Sequence, residues 1–253
     1  MSMSQRPLAG QTAFVSGSTA GIGMAIVQAL LADGARVILN GRQPQAVQAA
    51  VSRLREQDPQ ADVSGIAADL GTASGCERVA PLLADADILV NNLGIFEPKP
   101  FEDIPDEDWR RFFEVNVLSG ARLARLVLPG MKRRNWGRIL FISSESGVQI
   151  PAEMVHYGMT KSAQIAIARG IAESVAGSGI TVNSVLPGPT RSRGVEDFVQ
   201  ALAGDSGQSF DEFEKEFFEK VRPTSLIKRF ATTEEVAAMV TYLCSPLASA
   251  TTG

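Results

Sequence analysis

"SGSTAGIG", residues 16–23, follows the short apolar run "TAFVS" (12–16) and opens onto Ile22, Ala25, Ile26, Ala29 and Leu30. The run reads as a buried strand. The apolar positions three and four apart read as one face of a helix that stops near Gly34. Between them Gly17, Gly21 and Gly23 have the spacing G-x-x-x-G-x-G. Glycines let a backbone turn sharply and lie close to a pyrophosphate, and a helix N-terminus offers free N–H groups and a positive dipole end. A glycine-rich turn alone is weak evidence. One that leaves the first strand and opens the first helix points to a dinucleotide site, with a plain structural turn as the alternative.

Working outward, the same strand–helix rhythm repeats. "RVILN" (36–40) reads as a second strand and residues 44–57 as a helix stopped by Pro59. A third strand lies in "DVSGIAADL", a fourth in "DILVNN" (87–92), a fifth in "GRILFISS" (137–144) and a sixth in "ITVNSVL" (180–186). One long helix is expected over 106–134, and another carries Tyr157 and Lys161. Continuous apolar strands alternating with helices predict an α/β fold, a doubly wound parallel sheet covered on both faces, as a single domain over 1–253. In such sheets ligands bind beyond the carboxyl ends of the strands, at a switch in strand order. Residues 190–230 break the rhythm with Phe198, Phe210, Phe213, Phe217 and Phe218 at partly helical spacing. They read as short helices over the strand ends, either a substrate lid or simply packed on the core.

Bulk properties exclude several classes. Of 253 residues, 45% are hydrophobic and 21% charged, enough for a core that needs no staples. A net charge of −4 gives no electrostatic grip on nucleic acid or an anionic membrane. Cys76 and Cys244 have no metal-like spacing, and His156 is the only histidine, so metal catalysis and disulfides are not expected. "MSMSQRPLAG" lacks the apolar run of a signal peptide, and no stretch approaches a membrane span of about 20 residues. A cytoplasmic location is expected.

The second strand ends in Gly41 and Arg42, where NAD-preferring folds place a carboxylate on the ribose hydroxyls. Glycine removes the repulsion toward a 2′-phosphate and arginine adds a planar donor fork, which favours NADP(H) over NAD(H). A solvated surface arginine is the alternative. Asp69, after the third strand, suits either an adenine contact or an ordinary loop carboxylate, and Asn91, Asn92 and Gly94 suit a ribose contact or a plain turn.

Tyr157 and Lys161 stand four apart, so a helix sets both on one face. A phenol that works near neutral pH should be shifted down by roughly 3 units, or about 4 kcal/mol. An ammonium about 4 Å away contributes about 4 kcal/mol at an effective dielectric of 20. Such pairs are nevertheless commonplace on helices. Ser144, at the end of the fifth strand, adds a hydroxyl that orients a substrate oxygen or merely caps a turn. Asn116 stands in a helix it does not favour, where its amide either holds a proton-relaying water near Lys161 or is a satisfied buried amide. His156 should point about 100° away from Tyr157 around the helix. Glu145 and Glu153 border the same region as solvated or substrate-facing carboxylates.

Taken together, "SGSTAGIG", "NNLG" (91–94), Asn116, Ser144 with "YGMTK" (157–161) and "PGPT" (187–190) resemble, in order, the motifs of the short-chain dehydrogenase/reductases that consist of a Rossmann-type core. The resemblance runs from about Leu8 to the end of the chain and is to 3-oxoacyl-ACP-reductase-like members. It implies a catalytic set of Asn116, Ser144, Tyr157 and Lys161, with Tyr157 exchanging the substrate proton. It implies NADP(H) contacts by Gly17, Thr19, Ile22, Gly23, Arg42, Asp69, Leu70, Asn91, Asn92, Gly94, Tyr157, Lys161, Pro187, Gly188 and Thr190. It also implies a small carbonyl or alcohol substrate and a homotetramer. Ser16 replaces the family's usual threonine, Leu93 its usual alanine, and Ala20 a basic residue of the glycine turn. Family members continue into a seventh strand, whereas this sequence stops at "SATTG", which leaves two expectations open: a truncated sequence or a sheet one strand shorter. A non-catalytic dinucleotide-binding sensor or scaffold is the competing reading, and epimerisation or dehydration on the same scaffold a third.

Overall fold

The structure, a computed structural model, describes residues 6–192 and 209–253. Six strands form one parallel sheet: β1 (Thr12–Val15), β2 (Arg36–Gly41), β3 (Val63–Ala67), β4 (Ile88–Asn91), β5 (Gly137–Ile142) and β6 (Ile180–Val185), in the order β3-β2-β1-β4-β5-β6. Strand direction of travel across the sheet reverses between β1 and β4, which creates the switch point.

Alternation along the strands divides the core into two layers, because successive side chains leave opposite faces. Ala13, Val15, Val37, Leu39, Ile88, Val90, Leu140 and Ile142 pack on one side with α1 (Gly21–Ala32), α2 (Pro44–Gln57) and the helix Thr233–Cys244. Phe14, Ile38, Leu89, Ile139, Phe141 and Val182 pack on the other with α3 (Ala73–Leu83), α5 (Ser119–Arg134) and α6 (Val155–Ser174). β4 and β5 are therefore buried along their whole length and β1 from Ala13 onward, as their largely apolar runs require.

The expected helix over 106–134 is not continuous. It is α4 (Asp106–Phe113), a five-residue π-helical segment Glu114–Leu118, and α5. The widened turn carries Asn116 into the interior, where it is fully buried.

Of the expected lid over 190–230, residues 193–208, Phe198 among them, lie outside the described residues. The two-residue strands β7 (Thr190–Arg191) and β8 (Ala231–Thr232) pair in parallel and bracket the segment. A helix over Phe210–Glu216 and a π-helical segment over Phe217–Val221 follow, and Phe210, Phe217 and Phe218 gather around Phe230. At the far edge of the sheet, Gly253 donates its N–H to the Val182 carbonyl at 2.9 Å, so Thr251–Gly253 lie along β6.

Candidate active site

The glycine turn leaves β1 at the switch point. Gly17 has φ +59°, and a Cβ there would meet the Leu93 Cα at 3.1 Å. Asn92, just past β4, donates from Nδ2 to the Gly17 carbonyl at 2.8 Å and the Ser16 carbonyl at 3.1 Å. The Ser16 hydroxyl accepts the N–H groups of Asn92 and Leu93, each at 3.0 Å, so serine keeps the stitching function of a hydroxyl here. The Asn40 Oδ1 accepts the Gly17 N–H at 3.2 Å. These bonds fix the turn from both neighbouring strands. α1 begins after Ala20, which offers no side-chain cap, so its first N–H groups are left for a ligand or solvent.

Two cavities flank the turn. The smaller, about 160 Å³, is bounded by Gly17, Thr19, Gly41, Arg42, Leu70 and Leu93. A Cβ at Gly41 would stand 2.6 Å from the Thr19 methyl, so a carboxylate-bearing residue could enter this position only by displacing Thr19. The larger, about 680 Å³, extends from Ile22, Asn92 and Gly94 past Ser144, Tyr157 and Lys161 to Pro187, Gly188 and Thr190.

Tyr157 and Lys161 rise from the first turns of α6 onto this wall. The Ser143 hydroxyl donates to the Lys161 carbonyl at 2.8 Å and so ties the end of β5 to the helix. Ser144 then faces the cavity; its hydroxyl donates to Glu145 Oε2 at 2.5 Å and accepts the Ser146 N–H at 3.1 Å. The Glu145 N–H reaches the Pro187 carbonyl at 3.0 Å, joining the loops after β5 and β6. The Lys161 Nζ lies 5.6 Å from the Tyr157 ring centroid and donates to the Ile142 carbonyl at 2.9 Å and Gln164 Oε1 at 3.2 Å.

The electrostatics differ from the sequence expectation. Burial pushes the Tyr157 phenol up to about 12; the Ser144 hydroxyl opposes this, the Glu145 carboxylate adds to it, and Arg222 opposes it. Burial alone draws the Lys161 ammonium down to about 8, and among the described residues no carboxylate bonds to it. The net shift of the phenol is thus upward, opposite to the direction its spacing from Lys161 suggested: desolvation is the largest influence, and a neighbouring carboxylate acts in the same direction.

Asn116 supports the site from beneath. Its Oδ1 accepts the Ile95 N–H at 2.8 Å, and its Nδ2 donates to the Ile95 carbonyl at 2.9 Å and to Thr160 Oγ1 at 3.0 Å. Both amide protons are therefore committed, and the alternative of a satisfied buried amide describes the side chain better than a water carrier. Its carbonyl accepts Gln164 Nε2 at 2.6 Å.

Several other expected contacts sit apart from the cavities. Asn91 ends β4 with its amide 3% exposed and unpartnered among the described residues, turned toward the Gly120 and Phe141 side rather than a cavity. Gly23 is a packing position: a Cβ there would lie 2.6 Å from both the Gly17 carbonyl and Asn92 Nδ2. Asp69 is exposed beside the smaller cavity, and its Oδ1 accepts the Gly71 N–H at 3.0 Å. His156 turns away from the cavity, as its offset predicts, and is buried against Phe112 and Trp109 at centroid distances of 4.0 and 6.1 Å. Burial lowers its pKa.

Gln164 joins the site without having stood among the expected residues, although it lies three residues beyond Lys161 and seven beyond Tyr157, on the same helix face. The same is true of Arg222. This guanidinium bonds Glu153 Oε1 at 3.0 Å and lies 3.7 Å from Glu145 Oε1, linking the segment after the Phe210–Glu216 helix to the site. Phe96, Phe213 and Phe217 supply apolar wall, with the Arg222 guanidinium 5.8 Å from the Phe217 ring centroid.

Residues 11–203 match the short chain dehydrogenase family. Over 246 residues the chain is 46% identical to the "uncharacterized oxidoreductase YvaG" of Bacillus subtilis (strain 168), covering 97% of this chain and 93% of that one. Over 245 residues it is 33% identical to a D-beta-hydroxybutyrate dehydrogenase of Cupriavidus necator, covering 95% and 93%. The crystal structure of L-sorbose reductase from Gluconobacter frateurii, complexed with NADPH and L-sorbose, superposes with a TM-score of 0.90 at 30% identity, covering 98% of this chain and 94% of that one.

Proposed function

This chain belongs to the short-chain dehydrogenase family, and on that footing we propose that it is an NADP(H)-dependent oxidoreductase in which Tyr157 exchanges the proton of a carbonyl or secondary alcohol substrate. The observation that carries the reading is the convergence of Ser144, Tyr157 and Lys161 on one wall of a cavity that reaches the glycine turn. The fit to the cofactor is chemical as well as spatial. Gly17 and the uncapped start of α1 suit a pyrophosphate, and Arg42 beside Gly41 and Thr19 suits a 2′-phosphate. Asn92, Gly94, Pro187, Gly188 and Thr190 border the larger cavity where the ribose and nicotinamide would lie. The similarity to an NADPH complex at TM-score 0.90 supports the same assignment.

When bound, the nicotinamide supplies or takes up the hydride. The chain's own work is to orient and to move a proton. The Ser144 hydroxyl accepts the Ser146 N–H and donates its one proton to Glu145, so it orients a carbonyl oxygen by turning that proton from the carboxylate to the substrate. Tyr157, with its pKa at about 12, holds its proton at neutral pH and is poised to donate it to an oxygen gaining negative charge. Lys161, held by Ile142 and Gln164, sets a cation beneath the phenol that stabilises the phenolate left behind. Asn116 holds the loop at Ile95 through both ends of its amide, next to Gly94 on the cavity wall.

The segment 209–230 acts as the lid on this reading, since Phe213, Phe217 and Arg222 line the cavity together with Ser144 and Tyr157. The reading extends to a homotetramer in the cytoplasm, tested by light scattering and cell fractionation. No helix among the described residues is long and apolar enough to cross a membrane. The functional test follows nicotinamide absorbance with NADPH and a panel of ketones, ketoses and oxo acids. Oxidation of NADPH matched by alcohol formation is expected. Tight cofactor binding with no turnover across the panel would favour a sensor, and product without net absorbance change would favour internal hydride cycling.

A further inference from the structure

Gln164 is 1% exposed, bonds through both ends of its amide, and sits between Asn116 and Lys161, both buried. Its Nε2 donates to the Asn116 carbonyl at 2.6 Å, and its Oε1 accepts from the Lys161 Nζ at 3.2 Å. Both neighbours dictate the orientation of the amide. A carbonyl only accepts and an ammonium only donates, so the flipped amide would lose both bonds. The Lys161 ammonium has one other acceptor, the Ile142 carbonyl, and a wall on its remaining side where a Cβ at Gly94 would lie 3.5 Å away.

We infer that Gln164 is a positioning residue for Lys161: its amide bridges the ammonium to the Asn116 carbonyl and stands where a proton-relaying water would otherwise link the two. This rests on the catalytic reading of Lys161 given above. Two consequences separate it from a purely structural role. First, the bridge is a poor proton conductor, because an amide can pass a proton only through its unfavourable imidic form. Protons on Lys161 are therefore closed off from the Asn116 side. Second, the space Gln164 fills is polar at both ends, so a shortened side chain admits a water with Asn116 and Lys161 as partners, whereas an apolar side chain of similar size does not.

The test compares Gln164→Leu with Gln164→Ala. Gln164→Leu fills the space but takes the amide donor from the Asn116 carbonyl and leaves Lys161 with one acceptor. Its kcat should fall about tenfold, the cost of one charge-assisted hydrogen bond, with KM for the carbonyl substrate little changed. Gln164→Ala leaves a larger void and should melt at a lower temperature than Gln164→Leu, yet keep the higher kcat, because water restores the bridge. A packing role alone predicts the opposite order in kcat. The second readout needs no cofactor and no turnover. In the apo protein labelled with 15N-lysine, with the Lys161 resonance assigned by Lys161→Met, the Lys161 titration should move to lower pH in Gln164→Leu. It should move to higher pH in Gln164→Glu, whose carboxylate faces the ammonium.

A Lys161 titration unmoved in both Leu and Glu variants, or a kcat in Gln164→Ala below that of Gln164→Leu, would overturn the inference. A wild-type protein that reduces no carbonyl compound would instead remove the catalytic reading. The apo titration would still decide whether Gln164 governs Lys161.

Discussion

Replacing Arg42 by alanine should separate the two reduced nicotinamide dinucleotides. Arg42 stands on the rim of the smaller cavity with Thr19, Gly41 and Leu70, and it is solvent-exposed. It makes no ion pair or hydrogen bond to any other described residue, so no carboxylate competes for its donors. A hydrogen bond between a guanidinium and a phosphate is worth about 1.5–3 kcal/mol. Exposure to water and salt puts this site at the low end, about 1.5 kcal/mol, which is about tenfold in Kd. NADH has no 2′-phosphate and should lose nothing. The melting temperature should also hold, since the side chain supports nothing within the chain. Fluorescence titrations of Arg42→Ala with NADPH and NADH, at low and at physiological ionic strength, read the effect directly. The NADPH loss should shrink as salt rises. Equal weakening of both dinucleotides, or unchanged NADPH affinity, would refute the assignment of this cavity to the 2′-phosphate.

Gly23→Ala would bring a methyl to 2.6 Å from the Gly17 carbonyl and Asn92 Nδ2, so overpacking should cost about 1–3 kcal/mol, seen as a melting temperature lowered by several degrees together with weaker cofactor binding. Glu145→Gln removes the carboxylate that helps raise the Tyr157 phenol above its usual value, so the phenol should titrate at lower pH and the loss of carbonyl reduction at alkaline pH should begin earlier in a pH–rate profile. His156 is buried without a hydrogen-bond partner among the described residues, and burial lowers its pKa below the ordinary value of about 6.5. The unfolded chain therefore binds more protons as pH falls through about 6.5, and stability is lost toward acid; His156→Phe should flatten that slope in denaturation midpoints measured between about pH 5 and 7.

Much of this site could be read from spacing because spacing governs which strand ends and helix turns meet. The turn after β1, Ser144 past β5, and the i,i+4 pair Tyr157 and Lys161 all reach one cavity as a parallel sheet demands. The misreadings have physical sources too. Asn91 and Asn92 look interchangeable in "NNLG", but successive strand residues face opposite sides, and only Asn92 meets the glycine turn. The apolar period continues unbroken from 106 to 134, so nothing in it announces the π-helical turn that buries Asn116. The direction of the Tyr157 shift depends on desolvation and on Glu145, neither of which residue spacing measures. Gln164 was within reach of a helical wheel. Its importance depends on the Asn116 carbonyl arriving from another element.

The proton of the substrate oxygen is the heart of the account, and Tyr157→Phe addresses it most directly. The ring and its edge contact with Phe96, at a centroid distance of 6.4 Å, survive this change while the hydroxyl is removed. NADPH affinity should stay within about twofold of wild type, less than about 0.5 kcal/mol, while carbonyl reduction at saturating NADPH falls by at least about a hundredfold, as expected for a lost acid–base group. A variant that binds NADPH normally and still reduces the same substrate at the wild-type rate would contradict the account.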